Sequence, residues 1–575
     1  MPQATTTRTK PPTTPEHSRV NRVAAWWHRR TPTQKTLIAL GLLLLVYAFP
    51  LRGVMREQGS PMEEGFMLVF PERFLHGALP NRDFLHLYGP GSVWVLAGWY
   101  KVFGVSLAAE RWFGLIQEFA IIFGVYAIAR FWGRTAAFPC ALLSLIFILP
   151  PLGLTALAWV GGVGLGLLGL AAAMEARRRS EADEGRASLF AVLGGLLAGM
   201  SVLYRLDLIV AVGLGSLVVL WGTHGALKRR FLAGTGIGAL GYIVQAAWVG
   251  PYVAFKGMVL DPVVYLRGGR RLPIPPPWER LDGFLQRTLA TVPPQWQLPS
   301  LTTPQQLSIW FFVMLAGVAF LVGVAVWSFR RDPRRFRARV LLAAALFSVG
   351  LVPQGIQRVD SAHFAWVSCV GLAFVPLAIL ELLDVRRPTT RSVRRRNLLV
   401  GGSFILAICL LIPYFTAWPY EDFIQQSLDR HRIAVPISRN GRVFYYGRTD
   451  VQRDATALLK EVPKIAKPGE KLFVGTSDLR KTPYSDAWLY FLLPEYPPGT
   501  YYIEMDPDVA NAKNSRLAKD LASSDIAILS TVWNEWDEPN DSRKFGPDKP
   551  NEVLRQHFCL VERFGTLYSL YKKCR

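Results

Sequence analysis

Apolar and polar positions divide the chain into three unequal stretches. Between about residue 36 and residue 417, apolar runs recur at close to the roughly 20 residues that a bilayer-spanning helix needs. They predict about eleven spans, near 36–53, 111–129, 135–150, 153–173, 188–204, 207–222, 231–250, 307–329, 338–353, 363–383 and 398–417. Residues 1–35 are polar, basic and rich in Pro and Thr, the composition of a disordered tail. The run Leu37–Pro50 carries no small-residue cleavage site, which predicts an uncleaved first span rather than a signal peptide.

From residue 418 to residue 575 the pattern changes to short strand-like and helix-like segments in alternation. Strands are predicted at Val443–Tyr446, Lys471–Val474, Thr500–Met505, Asp525–Leu529, Cys559–Phe564 and Leu567–Tyr571. Helices are predicted at Val451–Ile465, Ser485–Leu493, Asn511–Leu521 and Asn551–His557. The expected fold is a polytopic α-helical membrane domain, 36–417, followed by a soluble α/β domain with a partly parallel sheet, 418–575.

Charge sets the orientation. The net charge is +23, from 65 Lys+Arg against 42 Asp+Glu. In a soluble chain this would suggest nucleic acid, but here the arginines cluster in short turns between apolar runs. The clusters are the N-terminal tail (Arg19, Arg22, Arg29, Arg30, Lys35), Arg130/Arg134, Arg177–Arg179, Lys228–Arg230, Arg330/Arg331/Arg334/Arg335 and Arg386/Arg387/Arg394–Arg396. Placing them all in the cytoplasm requires even numbers of spans between them. Ser92–Phe103, too short to cross, then lies on the outer surface as an amphipathic helix. The outer side collects the loop 51–110, the turn at Pro150/Pro151, the turn Tyr204–Asp207, the loop 251–306, the turn Pro353–His363 and the C-terminal domain. Charged constellations gather there, so the chemistry is expected on that face. No internal repeat is evident, which weighs against a transporter.

The glycines of Gly161-Gly162-Val163-Gly164-Leu165-Gly166 fall inside a predicted span and read as a helix-packing surface, not a dinucleotide loop. Cys140, Cys369 and Cys409 fall in apolar runs, whereas Cys559 and Cys574 lie in the C-terminal domain, either bridged or free.

The outer loops carry the candidate chemistry. Glu63 and Glu64 follow the first span, and Asp83 comes about twenty residues later. Neighbouring carboxylates raise one another's pKa, which suits a general base near neutral pH. Arg205 and Asp207 sit in a turn with almost no linker, either as functional groups or as a pair capping two helices. In Gln357-Arg358-Val359-Asp360-Ser361-Ala362-His363, the three-residue spacing puts Asp360 and His363 on one helix face. Arg358 is suited to bidentate phosphate binding, with a helix cap as the plainer alternative. Arg270 and Arg271 lie between glycines and prolines in the long loop, as part of a flap over a lipid phosphate or as a solvated basic segment. Trp533, Trp536 and the acids Glu535, Asp537 and Glu538 are suited to sugar contact or are a surface loop.

The pattern Glu63-Glu64, Gly77…Pro80…Asp83-Phe84, Gly89-Pro90-Gly91, Phe103-Gly104 and Arg111 resembles the first outer loop of the C-type (GT-C) glycosyltransferases. Within them it is most similar to the branch of protein O-mannosyltransferases and the lipid A aminoarabinose transferase. The likeness is best over roughly residues 60–180; the family usually has Asp where this chain has Glu63. The resemblance implies an inverting transfer of a sugar from a polyprenyl-phosphate donor to a cell-envelope acceptor at the outer face of a bacterial plasma membrane. Glu63 or Glu64 would be the base, with Asp83 assisting. Arg205, Asp207, Arg270, Arg271, Arg358, Asp360 and His363 would bind the donor phosphate and substrate. Some family members use a divalent metal, for which Glu63, Glu64 and Asp83 would be the ligands. A flippase of lipid-linked glycans and a non-catalytic assembly protein are the alternatives.

Overall fold

A computed structural model describes residues 29–283, 286, 293–294, 298–386 and 393–574. Most of the tail expected over 1–35, the side chain of Arg386, Arg387 and part of the loop 251–306 lie outside the described residues. The helix Pro32–Ala48 opens a few residues before the predicted start of its apolar run and belongs to a compact unit distinct from the rest of the chain.

Every apolar run is helical. Among the described residues, eight helices are long and apolar enough to cross a bilayer by length and composition: Leu107–Trp132, Arg134–Leu152, Ala158–Glu181, Ala187–Tyr204, Gly225–Val249, Thr303–Arg331, Phe336–Gln357 and Ser361–Asp384. This is fewer than the runs counted in the sequence. Pro32–Ala48 and Leu206–Leu220 are shorter, and Val393–Leu411 opens on three consecutive arginines, Arg394–Arg396. Pro150 and Pro151, expected in a turn, occupy the last turn of a helix, and the chain reverses at Gly153 (φ +61°), where glycine meets no Cβ penalty. The first part of the long loop is also helical, through Pro251–Phe255, Lys256–Tyr265 and Arg267–Arg270. The glycine-rich helix packs closely on its neighbour: a Cβ on Gly169 would lie 3.0 Å from both Ala198 N and Gly194 O.

Contacts join the arginine-rich turns to one another at one end of the bundle. Arg130 meets Glu175 at 3.5 Å, Arg337 donates to Phe131 O at 2.9 Å, and Arg177 and Arg339 both donate to Trp221 O, at 2.7 and 3.0 Å. Gly91–Phe103 forms a separate helix of 13 residues, about 20 Å long at 1.5 Å per residue, and leaves Val95, Val102 and Phe103 exposed.

The C-terminal domain holds a four-stranded sheet in the order β3–β4–β6–β5. Its strands are β3 (Leu472–Thr476), β4 (Ile526–Ser530), β5 (Phe558–Phe564) and β6 (Tyr568–Lys573). β3 and β4 pair in parallel, Leu472 opposite Ile526, and are buried throughout, as continuous apolar strands of a parallel pair should be. β6 runs antiparallel to both β4 and β5. A separate hairpin, β1 (Val435–Arg439) with β2 (Arg442–Tyr446), includes a strand the sequence did not predict. The helix Thr449–Ile465 buries Val451, Ala455, Leu458, Leu459 and Val462, an apolar stripe at helical spacing.

Thr500–Met505, predicted as a strand, is irregular. Gly499 N still bonds Leu472 O at 2.7 Å, but Tyr501 N donates to the Asp520 carboxylate at 2.8 Å, and Tyr501 O accepts from Leu85 N at 2.8 Å. The backbone groups that would extend the ladder are spent on a side chain and on the loop 51–110. Met505 then adopts φ +56°.

Cys559 and Cys574 form a disulfide across the β5–β6 hairpin, with Cα atoms 5.3 Å apart. Closing a loop of this size is worth about 3 kcal/mol. Cys559→Ser is expected to lower the melting temperature of the C-terminal domain in the full-length protein accordingly, and an unchanged melting temperature would count against that contribution.

The two parts share one core. Phe66 and Phe70 of the helix Glu63–Leu75 belong to the same buried cluster as Trp488, Leu489 and Ile528. A Cβ on Gly65 would sit 2.9 Å from Trp488 N, so only glycine allows this approach. Arg442 clasps Glu72 at 2.6 and 2.8 Å across the junction.

Candidate active site

Glu63 and Glu64 occupy the first turn of the helix Glu63–Leu75, whose start is capped by Ser60 Oγ accepting from Glu63 N at 3.2 Å. Successive residues on a helix point about 100° apart, so the two carboxylates diverge. Glu64 is engaged by Arg111 through two hydrogen bonds, Nε–Oε1 2.7 Å and Nη2–Oε2 2.9 Å, with both side chains no more than 3% exposed. The Glu63 carboxylate has no hydrogen-bond or ion-pair partner among the described residues and faces open space.

That space consists of two cavities. One, of 410 Å³, is lined by Glu63, Tyr88, Arg205, Arg270, Arg358, His363 and Glu504. The other, of 330 Å³, is lined by Glu57, Glu63, Glu64, Tyr446, Trp533 and Trp536. Met62 and Glu63 are the residues common to both linings. Burial, with repulsion from Asp360, pushes the Glu63 carboxyl up to about 7, against the pull of Arg270, Arg358 and Arg205.

The basic residues of the larger cavity are held by acids. Arg205 donates to Asp207 at 3.1 and 2.8 Å and to Gln354 at 3.1 Å, with its guanidinium 4.8 Å from the Tyr88 ring centre and 5.4 Å from that of Trp366. The Arg205–Asp207 pair is therefore formed, and it also borders the cavity. Arg270 pairs with Asp506 and lies 5.7 Å from the Tyr484 ring centre. Arg271 is exposed and lines neither cavity. Arg358, 3% exposed, donates to Asp360 at 2.8 Å, to both oxygens of Glu538 at 2.6 and 3.0 Å and to Arg270 O at 2.8 Å. Its fork is thus filled by a carboxylate of the C-terminal domain. Asp360 caps the helix that begins at Ser361, accepting from His363 N at 2.9 Å and meeting His363 Nδ1 at 2.8 Å.

Asp83 stands apart. It accepts from Leu79 N at 2.7 Å and pairs with Arg82, and it lines neither cavity. Burial opposes its ionisation, yet Arg82 and the Leu79 N–H hold its carboxyl below the ordinary value. Glu63, Glu64 and Asp83 therefore do not come together as a donor set: Glu64 is committed to Arg111 and Asp83 to Arg82. Among the described residues no group of three or more His, Cys, Asp and Glu is placed to hold a metal ion.

Sequence reasoning missed Tyr88, Tyr484, Glu504 and Asp506, and left Glu538 between sugar contact and a surface loop. The closely spaced acids in Glu504-Met505-Asp506 were the available signal, obscured by the strand assignment. Trp533 and Trp536 are buried and packed on Tyr484, with ring centres 6.2 and 4.8 Å away.

No protein-family model and no curated protein matches the chain. Among solved structures it is similar to ArnT from Cupriavidus metallidurans bound to undecaprenyl phosphate, at 15% identity and TM-score 0.45, covering 94% of this chain and 98% of that one. The apo state of the same protein gives 17% and 0.48 over the same shares. The Archaeoglobus fulgidus oligosaccharyltransferase in complex with Zn and sulfate gives 13% and 0.48, covering 91% of this chain and 72% of that one.

Proposed function

We propose that the protein is an inverting glycosyltransferase that moves a sugar from a polyprenyl-phosphate donor to a hydroxyl-bearing acceptor of the cell envelope. The observation that carries this reading is the position of Glu63, an unpaired carboxylate between an arginine-bordered cavity and an indole-bordered one. The resemblance of the first outer loop to the C-type glycosyltransferases supports it independently. The donor phosphate lies in the cavity bordered by Arg205, Arg270, Arg358 and His363, with Asp207 and Asp360 orienting those cations, and the acceptor enters from the side of Trp533 and Trp536. Glu63 takes the proton from the acceptor hydroxyl as its oxygen attacks the anomeric carbon. The bond from that carbon to the phosphate oxygen breaks, the phosphate leaves with the electron pair, and the arginines stabilise the developing charge.

Sidedness follows from the joined arginine turns, which the positive-inside trend puts in the cytoplasm of a bacterial plasma membrane. The same trend, applied to the basic tail in the sequence, supports a cytoplasmic N-terminus, and the disulfide supports an extracytoplasmic domain over 418–575. The test is transfer by purified protein from radiolabelled polyprenyl-phosphate sugars to envelope acceptors. Transfer supports the reading. Carrier binding without transfer to any acceptor, together with movement of labelled lipid across vesicles, would replace it with a flippase.

A further inference from the structure

The larger cavity contains a second carboxylate that the proposed chemistry does not use. Glu504, 5% exposed, lines it together with the arginines. Each neighbouring acid has an arginine within hydrogen-bond distance: Asp506 has Arg270, through one oxygen only, Glu538 and Asp360 have Arg358, and Asp207 has Arg205. Glu504 has none. Its nearest cation, Arg270 Nη2, is 3.9 Å away, beyond hydrogen-bond distance, and no donor reaches its oxygens among the described residues. Its carboxyl faces the cavity with hydrogen-bonding capacity that a ligand's donors would fill. A sugar-phosphate diester has no donor to offer at its phosphate. Sugar hydroxyls have them, and in a donor bound with its phosphate among the arginines and its anomeric carbon near Glu63, the sugar ring occupies this same cavity.

We infer that Glu504 is a specificity-determining residue that accepts hydrogen bonds from hydroxyl groups of the donor's sugar, so that the C-terminal domain reads the sugar while the membrane turns hold the phosphate. This rests on the polyprenyl-phosphate reading above. A sugar-free carrier makes no use of Glu504, whereas a sugar-bearing one does, and a site built to bond a hydroxyl discriminates strongly against a ligand without one.

The experiment measures binding of bare polyprenyl phosphate and of polyprenyl phosphoglucose, phosphomannose and phosphoarabinose to the full-length protein. The native protein is expected to bind at least one sugar-bearing carrier about tenfold or more tightly than the bare carrier, the equivalent of one or two hydrogen bonds. In Glu504→Ala that preference is lost while bare-carrier affinity stays within about twofold, since no phosphate contact has changed. Glu504→Gln, similar in size and still an acceptor, keeps part of the preference and serves as the folding control. A preference that survives in Glu504→Ala, or that is absent from the native protein, overturns the inference. Failure of the native protein to bind even the bare carrier overturns the donor reading itself, a separate result.

Discussion

Glu63→Gln is expected to lower sugar transfer by about 10²–10⁴-fold, the contribution of a positioned general base, while donor binding survives. The amide keeps the shape of the side chain and removes its capacity to take a proton. Because the Glu63 carboxylate has no partner among the described residues, its replacement breaks no ion pair there and the fold is expected to be unaffected. The pH profile gives the same residue a second readout. A base works only when ionised, and burial pushes the Glu63 carboxyl up to about 7. Transfer at limiting substrate should therefore rise as pH increases through about 7 and level off above it, and the residual activity of Glu63→Gln should lack that rise. A variant retaining native transfer rates at matched expression would remove Glu63 from the reaction.

Glu64→Gln acts on stability instead. It removes the carboxylate that pairs with Arg111, 3% exposed, leaving only the more weakly coupled Glu110 and Glu57, and breaking a buried pair by removing one partner costs up to about 3–5 kcal/mol. The loss should show as a large drop in melting temperature of the detergent-purified protein, with the surviving folded fraction still binding donor. Arg111→Met should destabilise comparably, because it strands Glu64. Combining Glu64→Leu with Arg111→Met removes both charges and should recover much of the stability, though not all. Arg111 also donates to Val54 O at 3.1 Å and Glu57 O at 3.0 Å, and those carbonyls would lose their donor. A Glu64→Gln protein as stable as the native one would show that the pair contributes little. The two neighbouring glutamates are thus expected to separate cleanly, one affecting turnover and the other the fold.

Much of the architecture was legible in the chain because it is written locally. Apolar runs, the short helix Gly91–Phe103 and most of the alternating segments after residue 418 are consequences of composition and period and fold as the predicted type of element, though the helix expected at Asn511–Leu521 forms only over Leu517–Ala522 and the span expected at 153–173 forms as Ala158–Glu181. The exceptions have local causes that a pattern does not reveal. Pro150 and Pro151 are tolerated in a final helical turn, and Thr500–Met505 gives its backbone bonds to Asp520 and Leu85 rather than to a ladder.

The sequence by itself determined that acids follow the first apolar run, that an Arg-x-Asp-x-x-His turn lies between two others, and that an α/β domain closes the chain. Only the tertiary structure decided which glutamate is free. Arg111, 47 residues away, takes Glu64, and the angle between successive helical positions turns Glu63 to the cavities. Only the tertiary structure filled the fork of Arg358 with Glu538, 180 residues on, and brought Glu504 into the same cavity. The reason is physical: period and propensity act over a few residues, whereas the partner of a buried charge is selected by packing among segments far apart in the chain.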